Sequence, residues 1–138
     1  MRIRIIWPGK TKDPNVTKLT ANYSSRISHF LPIEIVEARK DPLRFLTDSD
    51  FAIMLDSSGK SWTSDQFANF VRRHMTQNPK NLTFVIGDHA GLSPEAKKRA
   101  DLLWSLSPLT FTHDMTRVVV LEQIYRALTM IHNFPYSR

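Results

Sequence analysis

The chain has 138 residues, a formal charge of +6 and no cysteine. That length suits one domain spanning residues 1–138 with a real hydrophobic core, and the lack of thiols excludes a disulfide framework and thiolate metal sites, in keeping with a reducing cytoplasmic setting. The basic balance points to a polyanion, most simply nucleic acid, although Arg2, Arg4, Lys10, Lys12, Arg72, Arg73, Lys97, Lys98 and Arg99 are scattered rather than gathered in a tail.

In chain order, RIRIIW (2–7) reads as a strand, and the opening MRIRIIWPGK is too charged for a signal peptide. Asp13 and Pro14 open a helix whose Val16, Leu19, Tyr23, Ile27 and Phe30 share one face. IEIVEA (33–38) alternates as a strand, and DPLRFLTDSD after it is a short helical turn or loop. FAIMLD (51–56) and LTFVIG (82–87) are continuous apolar runs, the pattern of buried parallel strands. Between them Thr63 and Gln66 have capping-box spacing and start a helix. Ser93 and Pro94 begin another, expected to run to about Leu103, after which WSLSPLT is strand-like and then looped. The last helix, 113–132, is apolar on more than one face, so it is expected to be buried on more than one side, either between the sheet and a second subunit or as a central helix of a monomer. Strands alternating with amphipathic helices predict an α/β fold with a mainly parallel sheet. The longest apolar stretches, such as VVVL (118–121), are too short to span a membrane.

The stretch VIGDHAGLS (85–93) is the most pointed feature. It lacks the lysine and hydroxyl of a phosphate-binding loop and the three spaced glycines of a dinucleotide site. His29, His74, His89, His113 and His132 show no metal-ligand spacing, so no metal is expected. There is no nucleophile elbow. What remains open is a pocket wall or three ordinary surface loops. In parallel sheets ligands bind beyond the carboxyl ends of strands, where Leu55–Lys60, Gly87–Gly91 and residues 105–110 would meet. The last of these offers hydroxyl and backbone groups without charge, which suits an adenine and a ribose better than a phosphate.

These segments, with RIRIIWPGKTKDP, LDSSGKSWTS, WSLSPLTFTHDMTRVVVLEQIYRAL and NFPYSR, resemble the RlmH-type large-subunit ribosomal RNA pseudouridine methyltransferases of the SPOUT superfamily, over nearly the whole chain. The resemblance implies an α/β knot, with the C-terminal part threaded as a trefoil, and a homodimer. It implies S-adenosylmethionine as cofactor and N3 of a pseudouridine in ribosomal RNA, on assembled ribosomes, as acceptor. Carried over residue by residue, the cofactor contacts fall on Leu55, Gly87, Leu106, Ser107, Pro108, Leu109, Thr110 and Phe111.

The chain departs from that family in three places. Asp88 stands where a second glycine is usual, and His89 and Ala90 replace a Pro-Glu pair. If Asp88 needs positive φ, that costs of order 1 kcal/mol. Ser137 replaces the histidine after Tyr136, and the chain is shorter between residues 38 and 50. With Ser137 unable to act as a base, His89, Asp88 or solvent is expected to take the proton that the imide nitrogen loses. Tyr136 remains as the other member of the catalytic tail pair. Arg117, Arg126 and Arg138 are candidates for RNA contact or orientation across the dimer, against a helix-surface or interface salt bridge for the first two. The competing expectation is a catalytically drifted, non-enzymatic dimer that binds ribosomes or RNA.

Overall fold

The computed structural model describes residues 1–88 and 90–136. The elements are β1 (Ile3–Pro8), α1 (Pro14–Ser28), β2 (Ile33–Ala38), β3 (Asp50–Ser61), α2 (Ser64–Gln77), β4 (Asn81–Val85), α3 (Pro94–Arg99), β5 (Leu102–Ser105) and α4 (His113–Ile131), with a 3-10 turn over Pro42–Phe45. The five strands form one sheet in the order β2-β1-β4-β3-β5, and every neighbouring pair is parallel.

Period-two alternation sorts the strand residues to two faces. Ile3, Ile5 and Trp7 join Leu82, Phe84 and Ile86 on one face, beneath Ile27 of α1, Phe67 and Val71 of α2, and Val120, Leu121, Ile124 and Leu128 of α4. Ile6, Ala52, Met54 and Val85 form a smaller cluster on the other face, covered by Ala96 of α3 and by Leu43 and Leu46 around the 3-10 turn. α4 packs against both α1 and α2, so a central position within the chain accounts for most of its apolar circumference. Near its start Met115 stays 44% exposed, and Leu109 in the preceding loop 72%.

Each helix starts where a side chain can satisfy an orphan amide. Asp13 accepts from the Asn15 N–H, and Thr63 and Gln66 form the expected capping box. Two elements differ from expectation. The helix after Ser93 ends at Arg99, and Leu102–Ser105 is a strand, because Asp101 breaks off to accept the Ala52 N–H and passes β5 to the sheet edge. β3 runs on to Ser61: after a bulge beyond Leu55, Lys60 and Ser61 pair again with Trp104 and Ser105.

At the amino edge of the sheet Asp50 is buried, accepting from Arg4 Nη1 at 2.8 Å, the Thr83 hydroxyl at 2.9 Å and the Thr47 N–H at 2.9 Å. These bonds tie β1, β3 and β4 in register. Burial pushes the Asp50 carboxyl up, but the Thr47, Thr83 and Arg4 contacts outweigh it and hold the group below the usual carboxylate range.

Candidate active site

β1 and β4 are neighbours whose following connections run to opposite sides of the sheet, β1 through α1 to β2 and β4 through α3 to β5. Such a switch point leaves a crevice beyond the carboxyl ends of the strands. Two cavities lie there. The smaller, about 160 Å³, is lined by Leu55, Ile86, Gly87, Asp88, Gly91, Phe111, His113 and Thr116. The larger, about 580 Å³, is lined by residues that include Pro8, Lys10, Lys12, Thr112, Asp114, Met115 and Arg117. Asp88 and His113 line both.

The Gly87–Gly91 loop is built as a closed turn. The Asp88 carboxylate accepts the Ala90 N–H at 2.9 Å, the Asp88 carbonyl accepts the Gly91 N–H at 3.0 Å, and the two residues form an isolated antiparallel bridge. Gly91 carries the positive φ (79°); Asp88 does not, so the strain considered for an aspartate there is absent. A Cβ on Gly87 would come within 3.2 Å of Gly91 and 3.3 Å of Leu92. A side chain at Gly87 would thus crowd the loop's own closure by a few tenths of an ångström, and its absence leaves the backbone at the cavity wall.

The larger cavity has its own supports. Asp114, in the first turn of α4, accepts the Asp13 N–H at 2.9 Å and the Lys12 N–H at 3.5 Å. Arg117 donates to the Thr11 hydroxyl at 3.0 Å and to the Pro8 carbonyl, with its guanidinium 4.8 Å from the centre of the Trp7 ring. It is only 2% exposed. Burial lowers its proton affinity, and Asp114 and Glu37 nearby work the other way. Arg117 thus shapes the cavity rather than extending from it.

Of the cofactor residues read from the sequence, Leu55, Gly87 and Phe111 meet in the smaller cavity. Leu106 joins Phe111 in an adjoining pocket with Trp62, Trp104 and Val119. Ser107, Pro108, Leu109 and Thr110 form the bend between, where the Ser107 hydroxyl accepts the Leu109 N–H at 3.0 Å. His89 and Arg138 lie outside the described residues. Sequence reasoning missed Lys10, Lys12, Met115 and Thr116 as wall residues; nothing in their local pattern marks them, since only the convergence of the β1 and β4 ends brings them in. The Asp114 carboxylate, by its bonds to Lys12 and Asp13, grips the β1–α1 loop.

Tyr136 and Arg126 lie elsewhere. The Tyr136 hydroxyl donates to Glu122 at 2.8 Å, Arg126 pairs with the same carboxylate at 2.8 Å, and the Tyr136 ring meets Tyr125 edge-on at 4.8 Å. Burial, then Tyr23 and Glu122, raises the Tyr136 hydroxyl far above the usual tyrosine value, so it stays protonated. Glu122 is nine residues along α4 from His113, a rise of about 14 Å. The Asp88 loop and the Tyr136 cluster of one chain are thus separate.

Leu55, Ile86 and Phe111 offer an apolar slot for an adenine, and Asp88 offers a carboxylate to a sulfonium or ammonium. The smaller cavity alone is below the usual ligand range of about 300–1,000 Å³, and the larger neighbour with which it shares two walls falls within it. The residues fit S-adenosylmethionine.

Comparison with known proteins agrees with this geometry. A family model described as "Predicted SPOUT methyltransferase" matches residues 1–137. "Ribosomal RNA large subunit methyltransferase H" of Trichlorobacter lovleyi is 37% identical over 151 residues, covering 99% of each chain. The protein of the same name from Coprothermobacter proteolyticus is 37% identical over 139 residues, covering all of both, so the short segment after β2 is not peculiar to this chain. Among solved structures, a probable methylase family protein from Haemophilus influenzae superposes with a TM-score of 0.62 at 12% identity, over 95% of this chain and 66% of that one. The SpoU methyltransferase AviRb from Streptomyces viridochromogenes, in complex with AdoMet, does so with a TM-score of 0.51 at 12% identity, over 91% and 57%.

Proposed function

This chain belongs to the SPOUT methyltransferase family, and we propose that it methylates large-subunit ribosomal RNA from S-adenosylmethionine, at N3 of a pseudouridine. The observation that carries the reading is the pair of cavities sharing Asp88 and His113 at the β1/β4 switch point: one is sized and lined for part of the cofactor, the other is large enough for a nucleotide. The whole chain acts as one SPOUT domain.

When bound, S-adenosylmethionine supplies an electrophilic methyl group on a sulfonium. Leu55, Ile86 and Phe111 would hold the apolar side of the cofactor, with the Gly87 backbone and the bend at Leu106, Ser107, Pro108, Leu109 and Thr110 available for its polar groups. The Asp88 carboxylate, which lines both cavities, would stand by the cofactor's positive charge and would be placed to take the proton that the imide nitrogen must lose. One oxygen is engaged by the Ala90 N–H, which orients the other. His89, next in the chain, is the second candidate for that proton. Alignment of the acceptor by the clamped β1–α1 loop supplies the larger part of the rate gain.

Two copies pack together, with Leu109 and Met115, both exposed in the isolated chain, at the seam. The separation of Tyr136 from the Asp88 loop supports this assembly: Tyr136, with Arg126, Arg138 and the RNA, then serves the partner's cleft. A threaded C-terminal segment is supported by membership of the family. Among the described residues no helix is long and apolar enough to cross a membrane, and the enzyme is assigned to the cytoplasm with the ribosomes it modifies. Mass spectrometry of ribosomal RNA from cells with and without the gene tests the reading. The expected result is one pseudouridine that loses 14 mass units without the gene; identical RNA in both strains overturns it.

A further inference from the structure

We propose that the carboxyl rim of β1 and β2, together with the 3-10 turn that leads back from it towards the start of β3, is the track on which the RNA backbone lies, with Lys10, Lys12, Arg39, Lys40 and Arg44 holding phosphates and Phe45 stacking an unpaired base. The proposal rests on the RNA methyltransferase reading above and extends it to a surface outside the cleft.

The strand register brings these residues together. Pro8 pairs with Ala38, and the Gly9 N–H donates to the Ala38 carbonyl at 2.9 Å. Lys10 and Arg39 therefore leave adjacent strands at the same edge. β4 lies on the other side of β1, where the Ile86 N–H donates to the Ile6 carbonyl at 2.9 Å. The β2 end is thus two strand spacings, about 10 Å, from the β4 end that carries Gly87 and Asp88. Lys10 and Lys12 line the larger cavity of the cleft. Arg39, Lys40, Arg44, Phe45 and Glu37 line a second groove of about 480 Å³ beyond it. The two cavities have separate walls, and the Pro8–Ala38 register sets their basic residues on neighbouring strand ends.

All five basic side chains are exposed, and among the described residues none is in an ion pair. Three of the acidic side chains between them are engaged by backbone amides: Asp13 accepts the Asn15 N–H, Asp41 the Leu43 N–H, and Asp114 the Lys12 and Asp13 N–H groups. Glu37 is exposed in the same groove as Arg39, Lys40 and Arg44, which outnumber it. Phe45, 39% exposed in the same groove, adds an apolar face for a base, the combination of basic groove and aromatic platform that binds single-stranded nucleic acid. An acidic protein would use the cations without needing the ring.

The test compares the wild-type protein with the triple variant Arg39→Ser, Lys40→Ser, Arg44→Ser, with Phe45→Ala, and with the charge-keeping pair Arg39→Lys, Arg44→Lys. Thermal melting serves as the fold control. Binding to large ribosomal subunits and to the RNA extracted from them is measured from 50 to 300 mM salt. The triple variant should bind extracted RNA at least ~10-fold more weakly and flatten the log affinity against log salt slope by about 2 to 3, since each phosphate contact contributes ~0.7–0.9. Phe45→Ala should weaken binding without changing the slope, and the Lys pair should restore it. Unchanged affinity and slope in the triple variant overturn the proposal. So does weakened binding to whole subunits with unchanged binding to the RNA, which assigns the rim to a protein partner. If the wild type binds RNA through the rim but transfers no methyl group, the track stands and the enzymatic reading falls.

Discussion

Asp114 and Arg117 lie almost one turn apart on α4 and grip the same loop from opposite chemistries. Asp114 accepts amide protons from Lys12 and Asp13, while Arg117 donates to Thr11 and to the Pro8 carbonyl over the face of Trp7. Losing the arginine leaves a buried carbonyl unpaired and removes a desolvated cation–π contact, so Arg117→Met should lower unfolding free energy by about 2–4 kcal/mol. Faster amide exchange at Thr11 to Asp13 should accompany it. A side chain used only for RNA would weaken RNA binding and leave the denaturation curve where it was.

The Asp50 carboxyl sits below its ordinary value of 3.8. A depressed carboxylate contributes its stability above the unfolded pKa, and that contribution is lost as pH falls through the folded one. Stability measured by urea unfolding should therefore drop below about pH 4. Asp50→Asn, which strands Arg4, should cost about 3–5 kcal/mol at pH 7 and remove most of that acid dependence. An unaltered slope against pH in the variant would show that other carboxylates carry it.

Two glycines should behave differently. A Cβ on Gly59 would stand 2.5 Å from the Leu103 carbonyl carbon and 2.6 Å from the Trp104 nitrogen, both backbone atoms. Gly59→Ala should thus separate β3 from β5 and cost more than about 2 kcal/mol. Gly87→Ala meets its neighbours at 3.2–3.3 Å, so a small shift suffices and the melting temperature should fall by only a few degrees. Its main effect should be weaker binding of S-adenosylmethionine in calorimetry. Equal destabilisation by both changes would contradict the packing described.

Asp88→Asn keeps an acceptor for the Ala90 N–H but removes the charge. It should leave the fold intact while raising the dissociation constant for S-adenosylmethionine about 5- to 30-fold, the ~1–2 kcal/mol of one charge-assisted contact. Cofactor binding as tight as in the wild type would move Asp88 off the cofactor side of the wall.

Local chemistry made much of the architecture readable. Asp13 with Pro14, and Thr63 with Gln66, announced their helices because caps are written in consecutive residues. The buried strands of residues 51–56 and 82–87 showed as unbroken apolar runs. The second half of β3 did not, because DSSGKS is held by pairing with Trp104 and Ser105 from across the chain rather than by its own propensity. Of β5 only Trp104 and Ser105 read as strand; Leu102 and Leu103 read as the end of the helix begun at Ser93, because four residues carry too little periodicity to override it. In the site, Gly87, Leu55 and Phe111 could be named from the family pattern, and the structure brings them to one cavity. The basic rim had no such signal: Lys10 and Arg39 are far apart in sequence and become neighbours only through the Pro8–Ala38 register.

The doubled pairing of β3 with β5 also sets an order of events during synthesis. Until residues 102–105 emerge from the ribosome, β3 has a bare outer edge along its full length, and a bare edge recruits strands from other chains. The polar interruption at Asp56–Gly59, closed by the Asp56–Ser58 bond, divides that edge into two short pieces, each a poor template for a neighbouring nascent chain.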